Sequence, residues 1–137
     1  MNREMKFRVW DKEDKKYVSP SHIAINGNGI LLITNSGMYL DFKNEHYAHL
    51  SQKYIVQQWT GCYDKNHTPI YEGDILAADH DGGEGEANIG VVYFAAGTFM
   101  IDGDSPFFDH VYGHSPDILD NHTVIGNKFE NSELLKA

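Results

Sequence analysis

The chain has 137 residues, 41% hydrophobic and 12% aromatic, enough to bury a core and too apolar for a disordered chain. Cys62 is the only cysteine, so an intrachain disulfide is excluded, and no apolar run approaches the ~20 residues of a membrane span. The net charge of −9 is unevenly placed: residues 1–58 balance at +2 and residues 59–137 at −11, with no Lys or Arg between Asn66 and Asn127. Such a surface repels phosphate at long range, which argues against conventional nucleic-acid binding by the second half.

Met1 to Lys6 carries charges and no apolar signal core, so a cytoplasmic location is expected. Lys6-Phe7-Arg8-Val9-Trp10 alternates with period two and predicts a half-buried strand. The polar run Asp11 to Lys16 then makes a turn, and Tyr17-Val18 starts a returning strand. Ile23-Ala24-Ile25 and Ile30 to Ile33 flank Asn26-Gly27-Asn28-Gly29, a strong hairpin signal because Asn and Gly tolerate positive φ. Asn35-Ser36-Gly37 predicts a second turn, followed by a strand over Met38 to Phe42. Asn44 to Lys53 is polar and fits either a helical turn or a loop.

Tyr54 to Thr60 alternates again, with Ile55, Gln57 and Trp59 on one face. After a turn at Asp64 to His67, Ile70 to Leu76 reads as a turn feeding a strand. An acidic, Gly-rich loop spans Asp79 to Asn88. Strands are predicted over Ile89–Phe94 and Phe99–Ile101, joined by a turn at Ala96-Gly97. Asp102 to Asn121 is irregular, and a last strand covers Thr123 to Phe129. Ser132 is a good N-cap for a short helix over Glu133 to Lys136. Many short strands with Gly-containing turns define an all-β chain, read as a small barrel or sandwich.

Several segments together resemble the YopX family of phage and prophage proteins. They are Glu4 to Asp11, Thr60-Gly61 with Asp64-Lys65-Asn66, Ile70 to Ile75, Gly90-Val91-Val92 with Gly97-Thr98-Phe99, and Val124 to Asn127 with Glu130-Asn131 and Glu133-Leu134-Leu135. The resemblance implies an SH3-type β-barrel in the C-terminal part and a phage or prophage origin; with the strands above, the barrel is expected over residues 54–137 beside an N-terminal β region over residues 1–53, acting in the bacterial host cytoplasm. The alternative is that the two regions form one continuous unit. The resemblance implies no activity. The family carries Gly after Asp-Lys-Asn, where this chain has His67, which predicts a positive φ at His67. It carries Pro before Glu-Leu-Leu, where this chain has Ser132.

Candidate chemistry is sparse. His46, His49, His67, His80, His110, His114 and His122 invite a metal reading, but the i, i+4 pair His110 and His114 is interrupted by Gly113 and flanked by Pro106 and Pro116. Exposed loop histidines on an acidic surface are the simpler reading. Asp79 to Glu86 resembles a calcium loop only superficially, because the sixth and twelfth positions are Glu84 and Gly90 rather than Gly and an acid. Cys62 and His67 could form a nucleophilic pair, but an acidic neighbourhood raises a thiol pKa. Asp117 and Asp120 are a carboxylate pair of the kind any acidic loop offers. No metal, cofactor or catalytic residue is therefore assigned.

Tyr71-Glu72-Gly73-Asp74 reads as a structural turn, with Gly73 supplying an unusual φ and Asp74 accepting backbone N–H bonds. The candidate partner-binding residues are an aromatic set, Trp59, Tyr63 and Tyr71, and the acids Asp79, Asp81, Glu84 and Glu86. The expected function is a non-enzymatic binding module that acts on a protein partner or self-associates as a homo-oligomer. Two other readings stand beside it: an acidic imitation of nucleic acid that occupies a host DNA-binding protein, and an enzyme with its site in residues 102–122. No membrane partner is expected.

Overall fold

The computed structural model describes residues 4–28, 31–35, 38–41, 53–79, 88–101, 105–106 and 117–135. The chain divides into two compact units, Lys6–Gln57 and Met1–Met5 with Gln58–Ala137. Both are built from β-strands.

In the first unit, β1 (Phe7–Asp11) and β2 (Lys16–Tyr17) form a hairpin with Trp10 opposite Tyr17 and Asp11 opposite Lys16. Asp11 closes the turn. Its Oδ1 accepts the backbone N–H groups of Glu13 (2.9 Å) and Asp14 (3.0 Å), and its Oδ2 meets Lys53 Nζ at 3.5 Å. After a 3-10 turn at Pro20–His22 come β3 (Ile23–Ile25), β4 (Leu31–Asn35) and β5 (Met38–Asp41), an antiparallel meander. β3 and β4 pair as the hairpin the sequence predicts, and the turn opens with Asn28 N–H donating to Asn26 Oδ1 at 2.9 Å, without positive φ at Asn26, Gly27 or Asn28. Val9 is fully buried, with Val18, Ile23, Leu31 and Tyr54 packed round it.

β6 runs from Tyr54 to Asp64, and its first residues complete this unit. Its alternation follows the sequence: Gln57 and Trp59 are buried and Val56 is exposed. Gln57 Oε1 accepts from Arg8 Nε (2.6 Å) and Tyr17 Oη (3.0 Å), which fixes a polar layer on the unit. The remainder of β6 belongs to the second unit. It bends at Gly61, whose φ of 85° only glycine adopts without strain, and the β6 register slips between Trp59 and Tyr63.

The second unit holds β7 (Pro69–Tyr71), β8 (Asp74–Ala78), β9 (Asn88–Ala95), β10 (Thr98–Ile101), β11 (Ser105–Pro106), β12 (Ile118–Leu119) and β13 (His122–Asn127). β7 pairs antiparallel and β12 parallel with β6, while β11, β10, β9, β8 and β13 form a second sheet in that order. Ile70, Leu76, Val92, Ile101 and Leu119 make the buried cluster, and Cys62, Phe99 and Val124 pack against it. Burying side chains of this size is the main stabilising term, about 1.5–3 kcal/mol each.

Three expectations change. Among the described residues the strands form open sheets and do not close into a barrel, because β11 and β13 end the second sheet without pairing to each other. The C-terminal helix is a four-residue 3-10 turn at Ser132–Leu135, held by an i+3 bond from Leu134 N–H to Asn131 O. His122 is not a loop histidine: it lies in β13 and is only 6% exposed.

Candidate partner-binding surface

The acids of the second unit fall into two groups, and the difference begins with Asp64. This carboxylate is 1% exposed at the end of β6. Oδ1 accepts the N–H groups of Asn66 (2.8 Å) and Thr68 (2.9 Å), while Oδ2 accepts that of Val124 in β13 (2.9 Å). One buried anion thus closes its own turn and ties it to a strand sixty residues away. Within that turn His67 has φ 63°, the left-handed value expected where the family carries Gly.

Asp74 is 2% exposed, and its Oδ2 accepts Tyr71 N–H at 2.8 Å. Glu72 Oε1 accepts Gln58 N–H at 2.9 Å. Between them Gly73, at φ 83°, donates its N–H to Val92 O and accepts Lys128 N–H. The Tyr71-to-Asp74 turn is therefore structural, as its residues imply. At the far end of β13, Asn127 Oδ1 accepts the N–H groups of Phe129 (3.0 Å) and Glu130 (2.9 Å). A Cβ on Gly126 would lie 2.5 Å from Asn131 Oδ1, so a side chain there must push Asn131 aside.

The outward acids are different. Asp79, Asp117, Asp120, Glu130 and Glu133 are all exposed. Asp79 meets Lys65 at 2.8 Å, a surface pair of the kind worth about 0–1 kcal/mol. Asp81, Glu84 and Glu86 lie outside the described residues, as do His46, His49, His80, His110 and His114. Among the described residues no three His, Cys, Asp or Glu side chains gather to hold a metal.

The structure does bring the aromatic candidates together. Trp59 is the ladder partner of Tyr71 and packs edge-on to Tyr63 at 5.5 Å. Trp59 itself is 7% exposed, with Nε1 donating to Cys62 O at 3.1 Å, so its ring serves packing. Tyr63 and Tyr71, both half-buried, hold what surface this set offers. Cys62 is half-buried, and its thiol pKa is pushed up by burial and by Asp117, against a lowering hydrogen bond from Thr60. It packs against the buried cluster, and a raised pKa keeps the thiol protonated at neutral pH.

One exposed aromatic escaped the sequence reading. Phe94, near the end of β9, is 52% exposed and meets Phe99 of β10 edge-on at 5.0 Å. Strand alternation marks Phe94 as inward, on the same face as the buried Val92, and gives no sign that the core ends before it.

These features define a small all-β protein whose turns are closed by buried carboxylates and amides, while Asp79, Asp117, Asp120, Glu130 and Glu133 among the described residues are exposed. The chain belongs to the YopX family: the model described as YopX protein matches residues 6–136. It is also similar to the crystal structure of protein EF1440 from Enterococcus faecalis, with 28% identity over 98% of this chain and 100% of that one, at a TM-score of 0.64. No curated protein matches it. The segments that carry the family resemblance, around Asp64, Asp74 and Asn127, are those that make the buried bonds above. They report a fold. Among the described residues, no helix is long and apolar enough to cross a membrane.

Proposed function

We propose that this protein is a phage-derived accessory module that binds a basic protein partner in the bacterial cytoplasm and carries out no chemistry of its own. One observation supports this most: the acids divide by role. Asp64 and Asp74 are consumed by the fold, whereas five other described acids of residues 59–137 are exposed, in a region with a balance of −11. Charge left on the surface in that excess attracts a basic partner and speeds the encounter.

Reversing Asp79, Asp81, Glu84 and Glu86 to Lys tests the reading. Association with the partner, identified by affinity purification and mass spectrometry from the host, should slow in this variant. In the unaltered protein it should weaken as salt shortens the Debye length below ~8 Å. Binding indifferent to both changes would reduce the acids to a solvated surface. Competition by duplex DNA for the same partner would instead favour imitation of nucleic acid.

A further inference from the structure

Charge alone draws an acidic protein toward any basic one, and selection among them needs an apolar contact that excludes water. The hairpin of β9 and β10 has the features of such a contact. Phe94 is the one exposed aromatic side chain among the described residues. Its ring meets the edge of Phe99 at 5.0 Å and 70°, and Phe99 in turn packs on the buried cluster of Leu76, Val92 and Ile101. An exposed ring held from below by an anchored one loses little freedom on binding, which is what makes aromatic residues effective at interfaces.

The hairpin also holds the ring at a defined place. Ala96 at φ 52° and Gly97 at φ 77° form the tight turn that matches strand twist, and the ladder pairs Phe99 with Phe94 and Thr98 with Ala95. From Ala87 to Ile101 there is no Asp, Glu, Lys, Arg or His, yet acids bound the stretch in sequence, with Glu84 and Glu86 before it and Asp102 and Asp104 after it.

We infer that Phe94, backed by Phe99, is the apolar anchor of a docking surface for an amphipathic basic segment of another protein. Charge decides the occupant. A two-fold contact between copies of this chain would set the same hairpin, and two regions of −11, against each other. A basic segment is attracted instead. This inference rests on the proposed function and adds the residue that confers selection.

The test uses the full chain, isotope-labelled, titrated by NMR with three synthetic peptides of equal length. One alternates Lys and Leu so as to be basic and amphipathic, one replaces every Leu with Ser, and one replaces every Lys with Glu. The Lys/Leu peptide should bind tightest and shift the Tyr93–Phe99 amides most. Phe94→Ser should weaken it by about tenfold or more, the loss expected of an interface anchor, while Phe94→Leu retains most of the affinity. Phe94 is exposed, so an unchanged amide spectrum elsewhere shows that the variants are folded. If Phe94→Ser binds this peptide as well as the unaltered protein does, the anchor is refuted while the charge reading stands. Failure of both Lys peptides to bind removes the charge reading as well. Self-association in sedimentation that Phe94→Ser abolishes would give the hairpin to a second copy and overturn the inference.

Discussion

Asp11 and Asp64 place the same group in the same kind of turn, one in each unit, yet they hold different amounts of structure. Asp11 accepts N–H groups two and three residues ahead and leans on Lys53, whose side chain is 21% exposed. Asp64 accepts from its own turn and also from Val124 in β13. The first set is two local turn bonds and one ion pair to a partly exposed lysine. The second joins two strands. A buried carboxylate therefore matters in proportion to how far apart in sequence its donors lie.

The largest effect should follow Asp64→Ala. It leaves the Val124 N–H without its acceptor and removes two turn bonds, so unfolding free energy should fall by about 3 kcal/mol or more in urea titration. A loss below about 1 kcal/mol would erase the distinction from Asp11. Gly126→Ala probes the other end of β13. The added methyl must displace the Asn131 side chain, which accepts Asn127 N–H at 3.2 Å, and should destabilise by about 1–3 kcal/mol. Thermal melting of this variant at its ordinary midpoint would show that Asn131 moves aside freely.

Asp11→Ala should cost about 1 kcal/mol, the usual loss for a short polar side chain closing a local turn. Acid sharpens the comparison. Burial raises the Asp11 pKa, but N–H bonds from Asp14 and Glu13 and the charge of Lys53 outweigh it, leaving the net value below the ordinary 3.8. A depressed folded pKa means that the stabilisation is present above 3.8 and lost as pH falls below it toward the folded value. Stability measured over that range should drop by a smaller amount in Asp11→Asn than in the unaltered protein. Equal acid sensitivity would assign the effect to other carboxylates. The smallest change is a gain: His67→Gly relieves the left-handed backbone and should stabilise by about 0.5–1 kcal/mol. A loss of stability would mean that the His67 ring, tilted against Tyr63 at 6.3 Å, contributes more than the strain.

Much of this fold is legible locally. Asn26-Gly27 and Ala96-Gly97 announce their hairpins, and the Tyr71-to-Asp74 turn follows from glycine and a short acid. Two of the misses share a cause, which is distance along the chain. The two-residue β12 leaves no periodicity, and its parallel pairing of Ile118 with Tyr63 joins segments far apart. The Asp64 bond to Val124 is invisible for the same reason. Trp59 and Phe94 show a different error: Trp59, offered as a surface aromatic, is covered, and Phe94, not singled out at all, is exposed, because packing and not residue type decides which ring is covered.

The central claim is that inward acids serve the fold and outward acids serve the partner. Titrating the Lys/Leu peptide into the triple variant Asp79→Lys, Asp120→Lys, Glu130→Lys tests it most directly. All three side chains belong to exposed residues, so the melting temperature should stay close to that of the unaltered protein while affinity for the peptide falls by about tenfold or more. Undiminished affinity in a folded variant would contradict the claim, as would a variant that no longer folds.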